Sequence, residues 1–170
     1  VCRCNFDGYR LTVENSWPVF MPIAMSQDRE GRVWVGGVGE HVYYVSPEDD
    51  QLRALKNVSA FFTFTPYCLP LNDGNILSAS FQTGLTEIDA KEKYARQINI
   101  DEDMWQDAIR RSVFVPSCMY QDEDGTVWVG TVANGLLKYD PSNSSLNSVP
   151  GAPCLDIAAI EEDLQGNLWV

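Results

Sequence analysis

A phrase centred on tryptophan recurs along this chain, and its recurrence limits the possible folds more than any other feature. Asp122-Glu123-Asp124-Gly125-Thr126-Val127-Trp128-Val129-Gly130 is the fullest copy, and Asp28-Arg29-Glu30-Gly31-Arg32-Val33-Trp34-Val35-Gly36 precedes it. A third copy runs from Asp163 through Gly166 to Trp169-Val170. A weaker one, Asn72-Asp73-Gly74-Asn75-Ile76-Leu77-Ser78-Ala79, has Leu77 where the others have tryptophan. The glycines Gly31, Gly74, Gly125 and Gly166 stand 43, 51 and 41 residues apart. A period of about 40–50 residues without helical periodicity belongs to stacked β-units rather than to a helical solenoid.

Each unit has the same anatomy. An apolar segment (Pro22-Ile23-Ala24-Met25, or Ser117-Cys118-Met119-Tyr120) leads into an acidic glycine turn and then a β-rich strand. A second connection, such as Ala133-Asn134-Gly135, precedes a third strand, Leu136–Asp140. Pro141-Ser142-Asn143-Ser144-Ser145 then turns into an outer strand. Short strands punctuated in this way read as four-stranded antiparallel meanders. The expected fold is therefore all-β, a β-propeller of four-stranded blades.

At the start, Val1–Val13 reads as a hairpin around Asp7-Gly8 and corresponds to the outer half of a blade. At the other end, residues 151–170 correspond to an inner half. The expected division is a half-blade at 1–16, blades at 17–58, 59–111 and 112–150, and a half-blade at 151–170. Such a chain reads as part of a larger propeller or as a ring closed by its two halves. Open sheet edges predict association, either with remaining blades or with a second copy. Asp101–Arg111 reads as a short helical insertion with acidic residues in its first turn and arginines in its last.

Composition narrows the partners. The net charge of −12 and a pI near 4.3, with no basic stripe, disfavour nucleic acid and anionic membrane surfaces. No apolar run is long enough to span a bilayer, so direct membrane insertion by this segment is not expected, and the first residues lack a signal-peptide pattern. Five cysteines without a CxxC pair, and His41 as the one histidine, favour small buried hydrophobes over a metal site. No metal or cofactor is expected.

The pattern Asp-x-x-Gly-x-x-Trp-x-Gly, followed by Gly-Leu and Tyr-Asp-Pro, resembles the two-component regulator propeller repeat. Residues 121–141 match it best, then 27–47 and 161–170. The resemblance implies the periplasmic sensor region of a bacterial hybrid histidine kinase of the Bacteroides type, anchored in the inner membrane. Oligosaccharides are the ligands it implies. None of the kinase parts is in this chain. A sialidase-type Asp box is a poorer fit, because two residues rather than one separate Asp28 from Gly31.

Asp28, Asp122 and Asp163 share one repeat position, which suits acceptors for turn amides better than catalysts. Trp34, Trp128 and Trp169 are expected to wedge between neighbouring blades. No nucleophilic triad or phosphate loop is present, so the chain is not expected to be an enzyme. Binding residues should come from what differs between blades. His41, Gln82 and Asn134 in equivalent loops, with Trp105, Arg110 and Arg111 of the insertion, are the candidate ligand contacts. Aromatic and planar polar groups suit sugar faces and hydroxyls. For each of them an ordinary solvated loop residue is the competing reading. A structural or dimerisation role, and a secreted propeller hydrolase or lyase, are the alternative functions.

Overall fold

A computed structural model of the chain describes residues 1–39, 42–55, 63–64, 67–80, 84–89, 91, 94–100 and 114–170. The described secondary structure consists of strands. Strands β1 (Cys2–Phe6) and β2 (Leu11–Ser16) form a hairpin. The first complete sheet has the order β3 (Pro22–Gln27), β4 (Val33–Gly39), β5 (Tyr43–Val45) and β6 (Leu52–Ala54), with β7 (Thr63–Phe64) paired to the end of β4. The second runs through β8 (Tyr67–Pro70), β9 (Ile76–Ser80), β10 (Gly84–Asp89) and β11 (Tyr94–Gln97). Next, β12 (Asn99–Ile100) lies parallel on the outer edge of the third sheet, whose order is β13 (Pro116–Gln121), β14 (Val127–Thr131), β15 (Leu136–Asp140) and β16 (Ser145–Ser148). Strands β17 (Glu161–Glu162) and β18 (Leu168–Trp169) form a last hairpin.

These are four-stranded antiparallel meanders, as the turn-punctuated sequence predicts. Every inner connection is a tight turn closed by the glycine N–H on the carbonyl three residues back, at 2.9–3.1 Å in all four copies. The glycines adopt φ between 79 and 93° there, a left-handed conformation that a β-carbon disfavours. The expected Asp-Gly hairpin also forms, but with a four-residue connection. Phe6 pairs with Leu11, and Asp7 Oδ1 accepts the amides of Tyr9 and Arg10 at 2.9 and 2.7 Å. The insertion read as a helix, 101–111, lies outside the described residues.

The blades pack through one repeated contact. Trp34, wholly buried, shares an apolar cluster with Cys68, Ile76 and Ile88 of the following blade. Leu77 does the same with Val127 and Tyr139, with Met119 packed against them. Trp128 packs against the cluster of Leu136, Ile157 and Ile160, as does Leu168 of the last hairpin. In each case the residue three places after the turn glycine enters the next unit. Trp169 is the exception to the expected wedge, since it is 65% exposed. No further unit of the described chain covers it. Of the cysteines, Cys68 is buried as expected and Cys118 half-buried, but Cys2, Cys4 and Cys154 are exposed and all five are free thiols. The exposed ones lie in or beside the two hairpins, which among the described strands pair with no other sheet.

Candidate functional site

The recurrent aspartates do more than cap turns. Oδ1 of Asp28, Asp122 and Asp163 accepts the amide four residues on, from Arg32 at 2.9 Å, Thr126 at 2.7 Å and Asn167 at 2.9 Å. Oδ2 accepts the indole N–H six residues on, from Trp34, Trp128 and Trp169 at 2.7, 2.8 and 2.9 Å. One carboxylate thus closes the turn and fixes the orientation of the tryptophan. Burial alone would raise the Asp28 pKa. The Trp34 indole N–H, the Arg32 guanidinium and the Arg32 amide outweigh it and hold the carboxyl below its usual value. The indole link was missed from sequence, although a signal for it exists. In the degenerate copy Leu71 and Leu77 replace the aspartate and the tryptophan together, and both are buried. These acids and aromatics belong to the scaffold.

A second polar knot joins neighbouring blades. Glu87, on β10, accepts from Tyr139 Oη at 2.8 Å, from Asn75 Nδ2 at 2.8 Å and from the Arg96 guanidinium. The carboxylate is 6% exposed and the Tyr139 ring 1%. Burial, which raises the Glu87 pKa, is outweighed by these donors and the net direction is downward. The Tyr139 phenol is pushed up to about 12, by burial first and then by the Glu87 carboxylate. An acid saturated with donors against an unionised phenol is a structural clasp rather than a proton-transfer pair.

The ligand candidates fare unevenly. His41, Gln82, Trp105, Arg110 and Arg111 lie outside the described residues. Asn134 sits in the β14–β15 connection, which is rigidly knitted. Thr131, fully buried, accepts the Asn134 amide at 2.9 Å and donates its hydroxyl to Gly135 O at 2.8 Å. Ala133 and Gly135 donate their amides to Leu155 O at 3.2 and 2.8 Å. Asn134 is half-buried, and among the described residues its side-chain amide bonds to nothing. The loop therefore fixes the backbone of Asn134 and leaves its side-chain amide able to donate to and accept from a hydroxyl. No group of histidine, cysteine, aspartate or glutamate among the described residues could hold a metal ion.

A cleft of about 460 Å³ separates the β1–β2 hairpin from the first blade, with Arg3, Trp17, Met25, Gln27, Val45 and Asp50 in its wall. Asp50 fastens the hairpin there. Its carboxylate accepts from Arg3 Nη1 and Asn15 Nδ2 at 2.7 Å each, and its carbonyl accepts from Trp17 Nε1 at 3.0 Å.

Residues 111–133 match the two-component regulator propeller family. Among solved structures, the extracellular domain of BT4673 from B. thetaiotaomicron, assigned to the hybrid two-component systems, is similar with a TM-score of 0.68 at 15% identity. That similarity covers 96% of this chain and 22% of the other. The extracellular domain of BT3049 from the same organism, likewise assigned, gives 0.66 at 15%, over 99% and 21%. Virginiamycin B lyase from Staphylococcus aureus gives 0.67 at 14%, over 97% and 53%. The chain spans about a fifth of the length of the two sensor domains. The comparison with curated proteins yields no match. At these identities the structural likeness concerns the fold, while the sequence match concerns the repeat. The chain is a β-propeller of four-stranded blades, and within it residues 111–133 match the two-component regulator propeller repeat.

Proposed function

We propose that the chain is a segment of the extracytoplasmic sensing region of a hybrid two-component receptor, on the periplasmic side of the inner membrane, and that it recognises an oligosaccharide without transforming it. The observation that carries this reading is the repeat match at 111–133, joined to a fold shared with two extracellular domains of that receptor class. The engagement of the recurrent aspartates and of Glu87 supports a structural rather than a catalytic role for them. Asp28, Asp122, Asp163 and Glu87 are each held by several donors, so none is poised as a general acid or base. Phosphotransfer belongs to other parts of such a receptor.

Calorimetric titration of the chain with a panel of plant and host oligosaccharides tests the reading. Binding of one glycan class, weakened about fivefold by Asn134→Ala for one lost hydrogen bond, is the expected result. Absence of binding across the panel would leave the segment structural. Turnover of a glycan would make it a hydrolase or lyase.

A further inference from the structure

The β14–β15 connection contains Asn134-Gly135, the one asparagine–glycine pair in the chain. An asparagine followed by glycine is open to attack on its side chain by the next backbone nitrogen, because glycine has no β-carbon to obstruct the approach. The fold imposes the glycine here. Gly135 stands at φ 71°, and a β-carbon on it would lie 3.4 Å from Cys154 O. Asn134 is half-buried, and among the described residues its side-chain amide bonds to nothing. The electrophile of the pair is therefore unengaged.

The nucleophile, by contrast, is held. Gly135 N donates to Leu155 O at 2.8 Å, and Ala133 N donates to the same carbonyl at 3.2 Å. Gly135 O accepts from Thr131 N at 3.2 Å and from Thr131 Oγ1 at 2.8 Å. Asn134 N donates in turn to Thr131 Oγ1 at 2.9 Å. Thr131 and Gly135 are both buried, so the peptide between Asn134 and Gly135 can neither turn toward the side chain nor pass its proton to solvent. The Asp-Gly pairs at 7–8, 73–74 and 124–125 differ in kind, because an ionised carboxylate resists nucleophilic attack.

We infer that Asn134 is a deamidation site that the folded loop holds closed, and that it reacts only when the loop opens away from Leu155. In the open loop Gly135 N loses its proton to a base in solution and attacks Asn134 Cγ. The N–Cγ bond forms, the Cγ–Nδ2 bond breaks, and Nδ2 leaves as ammonia with a proton taken from water. Water then adds to one of the two ring carbonyls and opens the succinimide to aspartate or isoaspartate. Isoaspartate carries the backbone through the side-chain carbons, which lengthens the path between residues 134 and 135 by one atom. The bonds to Thr131 and Leu155 then cannot all re-form. Aspartate keeps the path but adds a negative charge to a chain already at −12. Either product removes the neutral amide, so an opening of this loop is recorded irreversibly. The chemistry is independent of glycan binding.

Parallel incubation of the chain at pH 8, folded in buffer and unfolded in guanidinium chloride, tests this. Asn134 is the one asparagine of the tryptic peptide 112–138, so the mass gain of an amide-to-acid exchange there reports the site. Conversion should be at least about tenfold faster in the unfolded chain, because in the folded one the loop must first open at a cost in free energy. Thr131→Val removes the hydroxyl that holds both Asn134 N and Gly135 O, and should speed conversion of the folded chain severalfold. Near-ultraviolet circular dichroism checks that this variant is folded. Gly135→Ala, assayed only in the unfolded state, should slow conversion there through its β-carbon. Equal rates in the folded and unfolded wild type overturn the proposal, as does an absence of conversion in both. A folded Thr131→Val chain that converts no faster than wild type refutes the loop as the barrier. An unfolded Gly135→Ala chain that converts as fast as wild type refutes attack by the Gly135 nitrogen.

Discussion

If one carboxylate both closes the turn and orients the indole, removing aspartate and tryptophan together should cost less than the sum of the separate losses. The first blade is the sharpest place to measure this, because the Asp28 side chain is 5% exposed and Trp34 wholly buried. Asp28→Ala strands the indole N–H in the core and frees the amides of Glu30 and Arg32, which Oδ1 holds at 3.0 and 2.9 Å. A hydrogen bond to a charged acceptor contributes about 1.5–3 kcal/mol and an unpaired buried donor costs about 1–3 kcal/mol. Since these overlap, the total loss should be about 3–5 kcal/mol. Trp34→Phe keeps an apolar ring but removes the N–H, while Arg32 Nε still serves Oδ2 at 2.6 Å. Its cost should be about 1–2 kcal/mol. In the double variant no indole is left unpaired, so the cycle should show a coupling of about 1.5 kcal/mol. Urea unfolding at 25 °C, followed by far-ultraviolet circular dichroism, reads all four proteins. Additivity within about 0.5 kcal/mol would refute the linkage, and would leave the paired replacement by Leu71 and Leu77 unexplained.

Three further outcomes are expected. The Asp163 carboxyl should titrate at about 2, because the Asn167 side chain, the Trp169 indole and the Asn167 amide all donate to it. Its folded pKa is depressed, so its stabilising effect is present above the unfolded value near 3.8 and is lost as pH falls through about 2. Carboxyl NMR would read the midpoint, and a value near 4 would contradict the turn geometry. The thiols should divide by burial. Cys2, Cys4 and Cys154 should react with a disulfide reagent at pH 8 within minutes, while Cys68, pushed up to about 12 by burial, should react only on unfolding. Fast modification of Cys68 in the folded chain would refute the packing of Trp34 upon it. Finally, Glu87→Ala should destabilise by about 2–3 kcal/mol, since it leaves the buried Tyr139 hydroxyl without its acceptor and the Asn75 amide with only its 3.4 Å contact to Asp73 Oδ2. In that variant the phenol should titrate below about 12, as spectrophotometric titration would show.

The blade anatomy was legible in the sequence because the interactions that set it are local. The turn glycines, the aspartate acceptors and the strand alternation act within about ten residues, so Gly84–Asp89 and Leu136–Asp140 emerge as strands with the bounds that composition predicts. The repeat and its period determined the fold class on their own. They did not determine the burial of each copy's tryptophan. Trp34 and Trp169 have the same local phrase, yet one is sealed and the other is open, because burial depends on whether another unit lies alongside. The clasp of Glu87 on Tyr139 spans 52 residues, and that of Gln121 on the Asn72 amide spans 49. Neither follows from spacing, since the partners meet only when one blade stacks on the next. The parallel pairing of β12 with β16 is another contact of this kind. Of the ligand candidates, the one the structure describes, Asn134, was placed in its loop by sequence difference alone. That its backbone is held rigid by Thr131 and Leu155 was decided by tertiary contact. Turn chemistry is written in neighbouring residues, whereas the fate of each blade face depends on the surface stacked against it.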